Sequence, residues 1–343
     1  MLPQVTGLHQ VSQDPTTGVT VFGWDVTPDA DAYAISVDGT KLASVTSPTA
    51  SVTVAAGAHT LGVAPVANPT APTTLAFTVP GGGGGGGHKI VLIPYENHNL
   101  AAVEAGAPNL MKFAAAGALA TNFTCSINGT PIHPSLPNYM QRSGGANPFP
   151  GQDCDTCSAS TKSLWDLVEA AGLAIEVFCE GLASTNPAYD YNAVFPSSAA
   201  KLYDNHHVWP VHYKLVMGNA ARKAKIKDLS AFSPSALPDY CEVVPNVAHE
   251  MHSGSVAAGD AWAQANFPPI IAAADLTICW FDEGKGPLYV AFYGRLAKPG
   301  VRSNVAYGNN DLLATLEHLL GLGSLGTGDK SGKVMSDMLI AGA

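Results

Sequence analysis

Ile90-Val91-Leu92-Ile93-Pro94-Tyr95, running straight into Glu96-Asn97-His98-Asn99, is the stretch that decides the fold. A short continuous apolar run of this kind predicts a strand buried on both faces, as in a parallel sheet. Leu276-Thr277-Ile278-Cys279-Trp280-Phe281 repeats the pattern and ends in Asp282-Glu283-Gly284. In open α/β sheets the ligand crevice lies beyond the carboxyl ends of the strands, which is where both acidic groups fall. Oxygen-rich clusters of Asp, Glu and Asn suit a divalent cation. Either group alone is an ordinary polar cap on a loop; both together with Ser135, described next, predict a cation-binding crevice.

Between these strands, Ile132-His133-Pro134-Ser135-Leu136-Pro137-Asn138-Tyr139 places a hydroxyl where a helix is about to begin. Pro137 suits a first turn, because its missing N–H costs nothing there and its φ is already helical. Ser135 then sits at a helix N-terminus, where free N–H groups and the positive end of the dipole favour an anion such as phosphate. A serine beside a divalent cation can ionise and attack phosphorus. Downstream, Ser163-Leu164-Trp165-Asp166 reads as a capping box. Leu164, Leu167, Val168 and Ala171 line one face of that helix, and Gly172 ends it. Ile175-Glu176-Val177-Phe178 follows as a strand, and Asp311 is expected to cap a final helix whose buried stripe is Leu312, Leu316, Leu319 and Leu320. This alternation predicts an α/β fold with a mainly parallel sheet and helices on both faces.

Further landmarks occur in a fixed order: Ala107-Pro108-Asn109-Leu110, Leu237-Pro238, Val244-Pro245-Asn246 with Glu250-Met251-His252, Gly259-Asp260 with Trp262, and Leu312-Leu313-Ala314-Thr315-Leu316-Glu317. With Glu96-Asn97, His133 to Tyr139 and Trp280 to Gly284, the chain from about His88 to about Gly323 resembles the phosphoesterase family of the alkaline phosphatase superfamily. That family holds acid phosphatases and phospholipases C. The resemblance implies an alkaline phosphatase-like fold, Ser135 as nucleophile and metal ligand, and Glu96, Asn97, Asp282 and Glu283 as the other metal ligands. It implies His252 as a phosphate contact or leaving-group acid, and Asn97 and Asn138 as substrate contacts. His206 and His207 best match the family's mid-chain catalytic histidines, with His212 as a rival. The family's histidine before its last helix is replaced here, in Tyr307-Gly308-Asn309-Asn310-Asp311, by a residue read as Asn310. One divalent ion (Ca, Mg, Mn, Fe or Zn) is therefore expected rather than two. Glu250 stands where the family commonly has Asp. Sulfatases of the same superfamily derive their reactive residue from Cys-x-Pro-x-Arg, which follows none of the six cysteines.

Gly81 to Gly87 is an unbroken glycine run, read as a flexible tether between residues 1–80 and 88–343. Residues 1–80 contain no cysteine, no glutamate and a single basic residue, Lys41. Strands are predicted over 19–22, 32–37, 51–54, 60–63 and 75–79, with a hairpin-grade turn at Asp38-Gly39. Trp24, Tyr33 and the phrase Gly57-Ala58-His59-Thr60-Leu61 resemble fibronectin type III anchors, so a small all-β sandwich is expected. His9 and His59 read as ordinary surface or turn residues.

The formal net charge of −10 argues against a nucleic-acid partner. The one basic cluster, Arg222-Lys223-Ala224-Lys225-Ile226-Lys227, reads as a solvated helix face or a patch steering an anionic substrate. No apolar run reaches the roughly 18 residues of a membrane span, and no secretory signal opens the chain. Cys154-Asp155-Thr156-Cys157 is either a small loop disulfide or a pair of free thiols. Asn122-Phe123-Thr124 and Asn128-Gly129-Thr130 match glycosylation acceptors. The expected function is a metal-dependent phosphate-ester hydrolase, of phosphatase or phospholipase C type, acting outside the cell or on a virion. The competing expectation is a phage tail or other virion protein that binds host envelope phosphates, with virion partners held through the N-terminal module.

Overall fold

The computed structural model describes residues 3–13, 19–54, 57–69, 72–79, 88–127, 130–182 and 203–343. The glycine run 81–87 and Asn128 of the second acceptor lie outside them. The chain divides into two compact units: Met1–Gly86 with His318–Gly323, and Gly87–Glu317 with Ser324–Ala343.

In the first unit, seven antiparallel strands form two sheets: β1 (His9–Gln13), β2 (Val19–Gly23), β3 (Tyr33–Val37), β4 (Thr40–Val45), β5 (Thr49–Thr53), β6 (Gly57–Pro65) and β7 (Thr73–Val79). The orders are β1-β2-β5 and β4-β3-β6-β7. Alternate residues of the strands close one core of Phe22, Tyr33, Ile35, Val52, Leu61, Val63 and Phe77. Trp24 and Tyr33 meet edge to face at 5.2 Å, as do Phe22 and Phe77 at 4.8 Å. Strands β1 and β4 were absent from the sequence reading. Each borders its sheet, and β4 is exposed along nearly its whole length, so neither carries the alternation that marks a half-buried strand.

The second unit is the expected α/β fold with a mainly parallel sheet. Its strands are β8 (Ile90–Tyr95), β9 (Ala118–Phe123), the short ladder of β10 (Ser126–Ile127) and β11 (Thr130–Pro131), β12 (Ile175–Cys179), β13 (Ile226–Asp228), β14 (Tyr240–Val244), β15 (Leu276–Phe281), β16 (Leu288–Tyr293) and β17 (Val301–Ser303). Eight of them form one sheet ordered β13-β12-β14-β8-β15-β16-β9-β17, in which only β16 runs antiparallel to its neighbours. The helices are α1 (Leu100–Gly106), α2 (Pro108–Ala116), α3 (Ser135–Gly144), α4 (Leu164–Ala170), α5 (Lys214–Met217), α6 (Ala220–Lys223), α7 (Val256–Ala273) and α8 (Asn309–Leu319). α1, α2 and α7 pack together and on β15, β16 and β9, while α3 packs with α4 and with two 3-10 turns, Asn205–His207 and Trp209–His212.

Several landmarks turn out to hold the frame. The Asp260 carboxylate on α7 accepts the N–H groups of Asn109 and Leu110, capping the start of α2. Gly259 lies so close to the 249–251 loop that a Cβ there would come within 2.7 Å of the His249 carbonyl oxygen. The capping box at Ser163 and Asp166 forms as expected. Asp311, however, is not the cap of α8. The Gly308 carbonyl accepts the first helical N–H groups, and Asp311 sits three residues on, its carboxylate reaching back to the Gly308 N–H at 2.8 Å. Most of the basic cluster is ion-paired: Arg222 with Asp166 and Glu169, Lys225 with Glu169 and Lys227 with Glu176. These counter-charges on α4 and β12 leave little field to draw an anion.

Candidate active site

The carboxyl ends of β14, β8 and β15 lie side by side, because β8 pairs in parallel with both neighbours. Backbone hydrogen bonds then lace the loops that leave them. The Glu96 N–H donates to the Glu250 carbonyl at 2.8 Å, and the Asp282 N–H to the Tyr95 carbonyl at 3.1 Å. Asn97 takes a left-handed conformation (φ 57°), which Asn tolerates better than most residues, and its N–H donates to Asp282 Oδ1 at 3.1 Å. Glu96, Glu250 and Asp282 are all fully buried.

Helix α3 enters this group with its N-terminus. Ser135, its first residue, donates from Oγ to Glu96 Oε2 at 2.9 Å. Tyr139, one turn further on the same face, donates to the other oxygen, Oε1, at 2.6 Å. Asn138 is buried behind the loop, not at its mouth. Its amide donates to the Ile132 carbonyl at 3.0 Å and lies 3.4 Å from the Pro134 carbonyl, and its Oδ1 faces the Asn309 amide at 3.3 Å. Asn309, rather than Asn310, is the asparagine turned toward this loop, and its Oδ1 also accepts from Trp280 Nε1. Asn310 instead faces Gly328.

The structure separates the three histidines. His207 Nδ1 lies 2.5 Å from Glu250 Oε1 and its Nε2 3.6 Å from Glu96 Oε1. Its ring stacks on Tyr139. His206 lies instead between Asp204 (2.9 Å) and Asp155 (3.0 Å). His212 is buried against the Cys157 and Asn205 carbonyls. His252 is exposed, with its ring 5.3 Å from that of His207. Asn97 is exposed beside the buried carboxylates, and Glu283 Oε2 meets His133 Nδ1 at 2.5 Å.

Electrostatics mark the group as one that needs a counter-charge. Burial, then the Asp282 charge, pushes Glu96 well above the usual carboxylate range. Burial raises Asp282, and raises Glu250 to about 7 against the pull of His207. Glu283 also rises to about 7, through burial, Asp282 and, more weakly, Asp153. Burial works to lower the His207 pKa, but the Glu250 and Glu96 charges outweigh it and raise it. Among the described residues, buried Asp282 Oδ2 and Glu250 Oε2 meet no hydrogen-bond partner. Orphaned buried carboxylate oxygens are costly unless something positive meets them. Glu96, His207 and Glu250 bring one ligand atom each within 4.8 Å of one another, and Ser135 and Asp282 adjoin Glu96 as well.

Sequence reading had missed Tyr139 and the partnership of Glu250 with His207. Tyr139 reads as a core aromatic; its spacing of four residues from Ser135 was the available signal. Beyond the site, Arg142 of α3 forms a fully buried two-pronged pair with Glu242 of β14 (2.8 and 2.9 Å), on which Trp209 Nε1 and the Tyr240 hydroxyl also converge. Cys154 and Cys157 form a disulfide, while Cys125, Cys179, Cys241 and Cys279 are free and buried.

No protein-family profile matches the chain. It is similar to a phosphatidylinositol-3-phosphatase of Mycobacterium tuberculosis (strain ATCC 25618 / H37Rv), 28% identical over 253 residues that cover 69% of this chain and 78% of that protein. Among solved structures it is similar to a phosphonate monoester hydrolase of Agrobacterium radiobacter, with a TM-score of 0.47 and 12% identity over 73% of this chain and 77% of that one. Another is the lipoteichoic acid synthase LtaP of Listeria monocytogenes, with a TM-score of 0.46 and 12% identity over 72% and 76%. These two structural likenesses are too distant to bear on the chemistry. Among the described residues no helix is long and apolar enough to cross a membrane.

Proposed function

We propose that this chain hydrolyses phosphate esters by a metal-dependent route with Ser135 as nucleophile. The observation that carries the reading is the Ser135 hydroxyl at a helix N-terminus, held 2.9 Å from Glu96 and beside the fully buried Asp282, whose Oδ2 meets no hydrogen-bond donor in good geometry among the described residues. The similarity to a protein named as a phosphatase supports the same chemistry.

The donor set fits one divalent cation: oxygen-rich, buried, and short of positive charge. Glu96, Ser135 and Asp282 would hold it, with Asn97 and Glu283 at the exposed edge. When bound, such an ion supplies Lewis acidity and lowers the pKa of a coordinated hydroxyl. The Ser135 hydroxyl gives its proton to Glu96, the acceptor 2.9 Å away, as its oxygen attacks phosphorus and the ester P–O bond breaks, giving a phosphoserine and an alkoxide leaving group. His252, exposed beside the buried group, donates the proton that the leaving oxygen needs. Glu250 fixes His207 through Nδ1 and aims its Nε2 at Glu96, so His207 steadies the carboxylate that receives the serine. Water then attacks the phosphoserine and passes a proton to His252, the P–O bond to Ser135 breaks, the serine oxygen regains its proton from Glu96, and phosphate (from a diester, a phosphate monoester) leaves. Asn138 holds the 132–135 loop, so its contribution is positional. The virion-surface reading gains no observation from the structure.

Turnover of p-nitrophenyl phosphate and bis(p-nitrophenyl) phosphate tests this, before and after chelation and with divalent ions restored. Ser135→Ala should abolish turnover while costing on the order of 1 kcal/mol of stability for one lost hydrogen bond. Acid quenching of the wild type should trap phosphoserine at Ser135. Normal turnover by a folded Ser135→Ala protein would rule out the mechanism.

A further inference from the structure

Asp153 immediately precedes the disulfide-closed turn Cys154–Cys157 and is exposed. Its Oδ1 accepts the N–H of Leu136 at 2.8 Å. That N–H belongs to the residue after the proposed nucleophile, in the first turn of α3, where a phosphoryl oxygen would otherwise find its donor. The protein has therefore placed a carboxylate of its own at the anion position.

The surrounding charge points the same way. Among the described residues, the side-chain partners of Glu96, Glu250, Asp282 and Glu283 are Ser135, Tyr139, His207 and His133, and none is Lys or Arg. The nearby cation on α3, Arg142, is consumed by Glu242. Glu96, Glu250, Asp282 and Glu283 thus share one acidic neighbourhood with the serine, met among the described residues by histidines and hydroxyls and by no fixed cation.

The turn that follows Asp153 is braced. The Cys154–Cys157 disulfide closes it, the Cys157 N–H donates to the Cys154 carbonyl at 3.1 Å, and the Cys157 carbonyl lies 2.8 Å from His212 Nδ1.

We infer that Asp153 is a specificity-determining residue that disfavours dianionic phosphate monoesters and selects phosphoryl groups of single negative charge, phosphodiesters above all. This rests on the hydrolase reading above, and names the substrate class for that site. A dianion would have to approach both the Asp153 carboxylate and the helix donor that it occupies. A diester carries one charge fewer and two apolar arms that lead away from the serine. Repulsion between like charges a few ångströms apart at a partly solvated site is worth roughly a tenfold change in rate or more.

The test measures kcat/KM of the full-length protein for p-nitrophenyl phosphate and for bis(p-nitrophenyl) phosphate, at a pH where the monoester is a dianion. Wild type should favour the diester. Asp153→Asn keeps an acceptor for the Leu136 N–H and removes only charge, and it should raise the monoester-to-diester ratio about tenfold. Replacing both cysteines by serine should move the ratio the same way by a smaller factor, because the carboxylate is then less firmly held. An unchanged ratio in an Asp153→Asn protein that still cleaves the diester overturns this inference and leaves the hydrolase reading standing. A ratio that moves in Asp153→Ala but not in Asp153→Asn also overturns it, leaving Asp153 a helix cap. Wild-type preference for the monoester dianion overturns it as well. A wild type that cleaves neither ester overturns the hydrolase reading itself.

Discussion

Ser135 and Tyr139 stand one helical turn apart and divide a single carboxylate between them, one oxygen each. Glu96 cannot rotate without breaking one of these bonds, so its geometry is set before any ligand arrives. Supporting hydrogen bonds to a ligating side chain are worth about 10–100-fold in metal affinity. Tyr139→Phe, which removes one hydroxyl and keeps the ring, should therefore weaken divalent-ion binding by about that factor in a competition titration against a chelating dye. Unchanged affinity would reduce Tyr139 to packing against His207 and Trp280. At this scale the sequence was legible where chemistry and position coincide, as for Ser135 at a helix start and Asp282 at a strand end. The choice among His206, His207 and His212 was not legible, because neighbouring residues in short 3-10 turns point in different directions and no periodicity ranks them. Asn138 was misplaced for a related reason: an asparagine beside a nucleophile looks the same in sequence whether it holds substrate or holds the loop.

Helix α3 delivers the serine, and it is held to the sheet by charge as well as by apolar contact. The Arg142–Glu242 pair spans from its last turn to β14, and the guanidinium lies 4.6 Å from the centre of the Trp280 ring on β15. Breaking one side of a fully buried pair leaves an uncompensated charge, at about 3–5 kcal/mol. Arg142→Met should show that loss in urea unfolding, and Arg142→Met with Glu242→Leu should recover much of it; equal losses in both would mean the cost is one of shape. Strand pairing shows why β8 and β15 could be read and β1 and β4 could not: the first two are apolar throughout because they are buried on both faces, whereas the latter lie at edges. Helix α8 offers a pH test. Burial and the Asp329 charge raise Glu317 to about 8, so the folded protein keeps a proton that the unfolded chain releases near pH ~4.3. The stabilisation is complete below that lower value and is lost as pH climbs through about 8. Glu317→Gln, neutral at every pH, should flatten the fall in Tm between about pH 5 and about pH 9. Parallel Tm curves for wild type and variant would show that Glu317 does not keep its proton.

At the scale of the whole molecule, composition divides the chain at the glycine run, whereas the first compact unit takes His318–Gly323 together with Met1–Gly86. The first unit closes its own core of aromatic and branched residues, and the second closes an eight-stranded sheet whose central strands carry the site. Every residue placed around Ser135 follows residue 87. The glycine run itself lies outside the described residues, so the tether is argued from composition: seven glycines have no side chains with which to build a core. From these observations we expect residues 88–343, expressed alone, to unfold cooperatively and to hydrolyse the same esters with a kcat/KM within about threefold of the full chain, since domains with their own cores fold as units. Residues 1–80 alone should likewise give a folded β protein without activity. Circular dichroism melts and parallel ester assays on the three proteins decide the matter. If residues 88–343 fold but lose turnover, the N-terminal unit contributes to catalysis and the modular account of the chain fails. If they do not fold, the boundary drawn from the glycine run is in the wrong place.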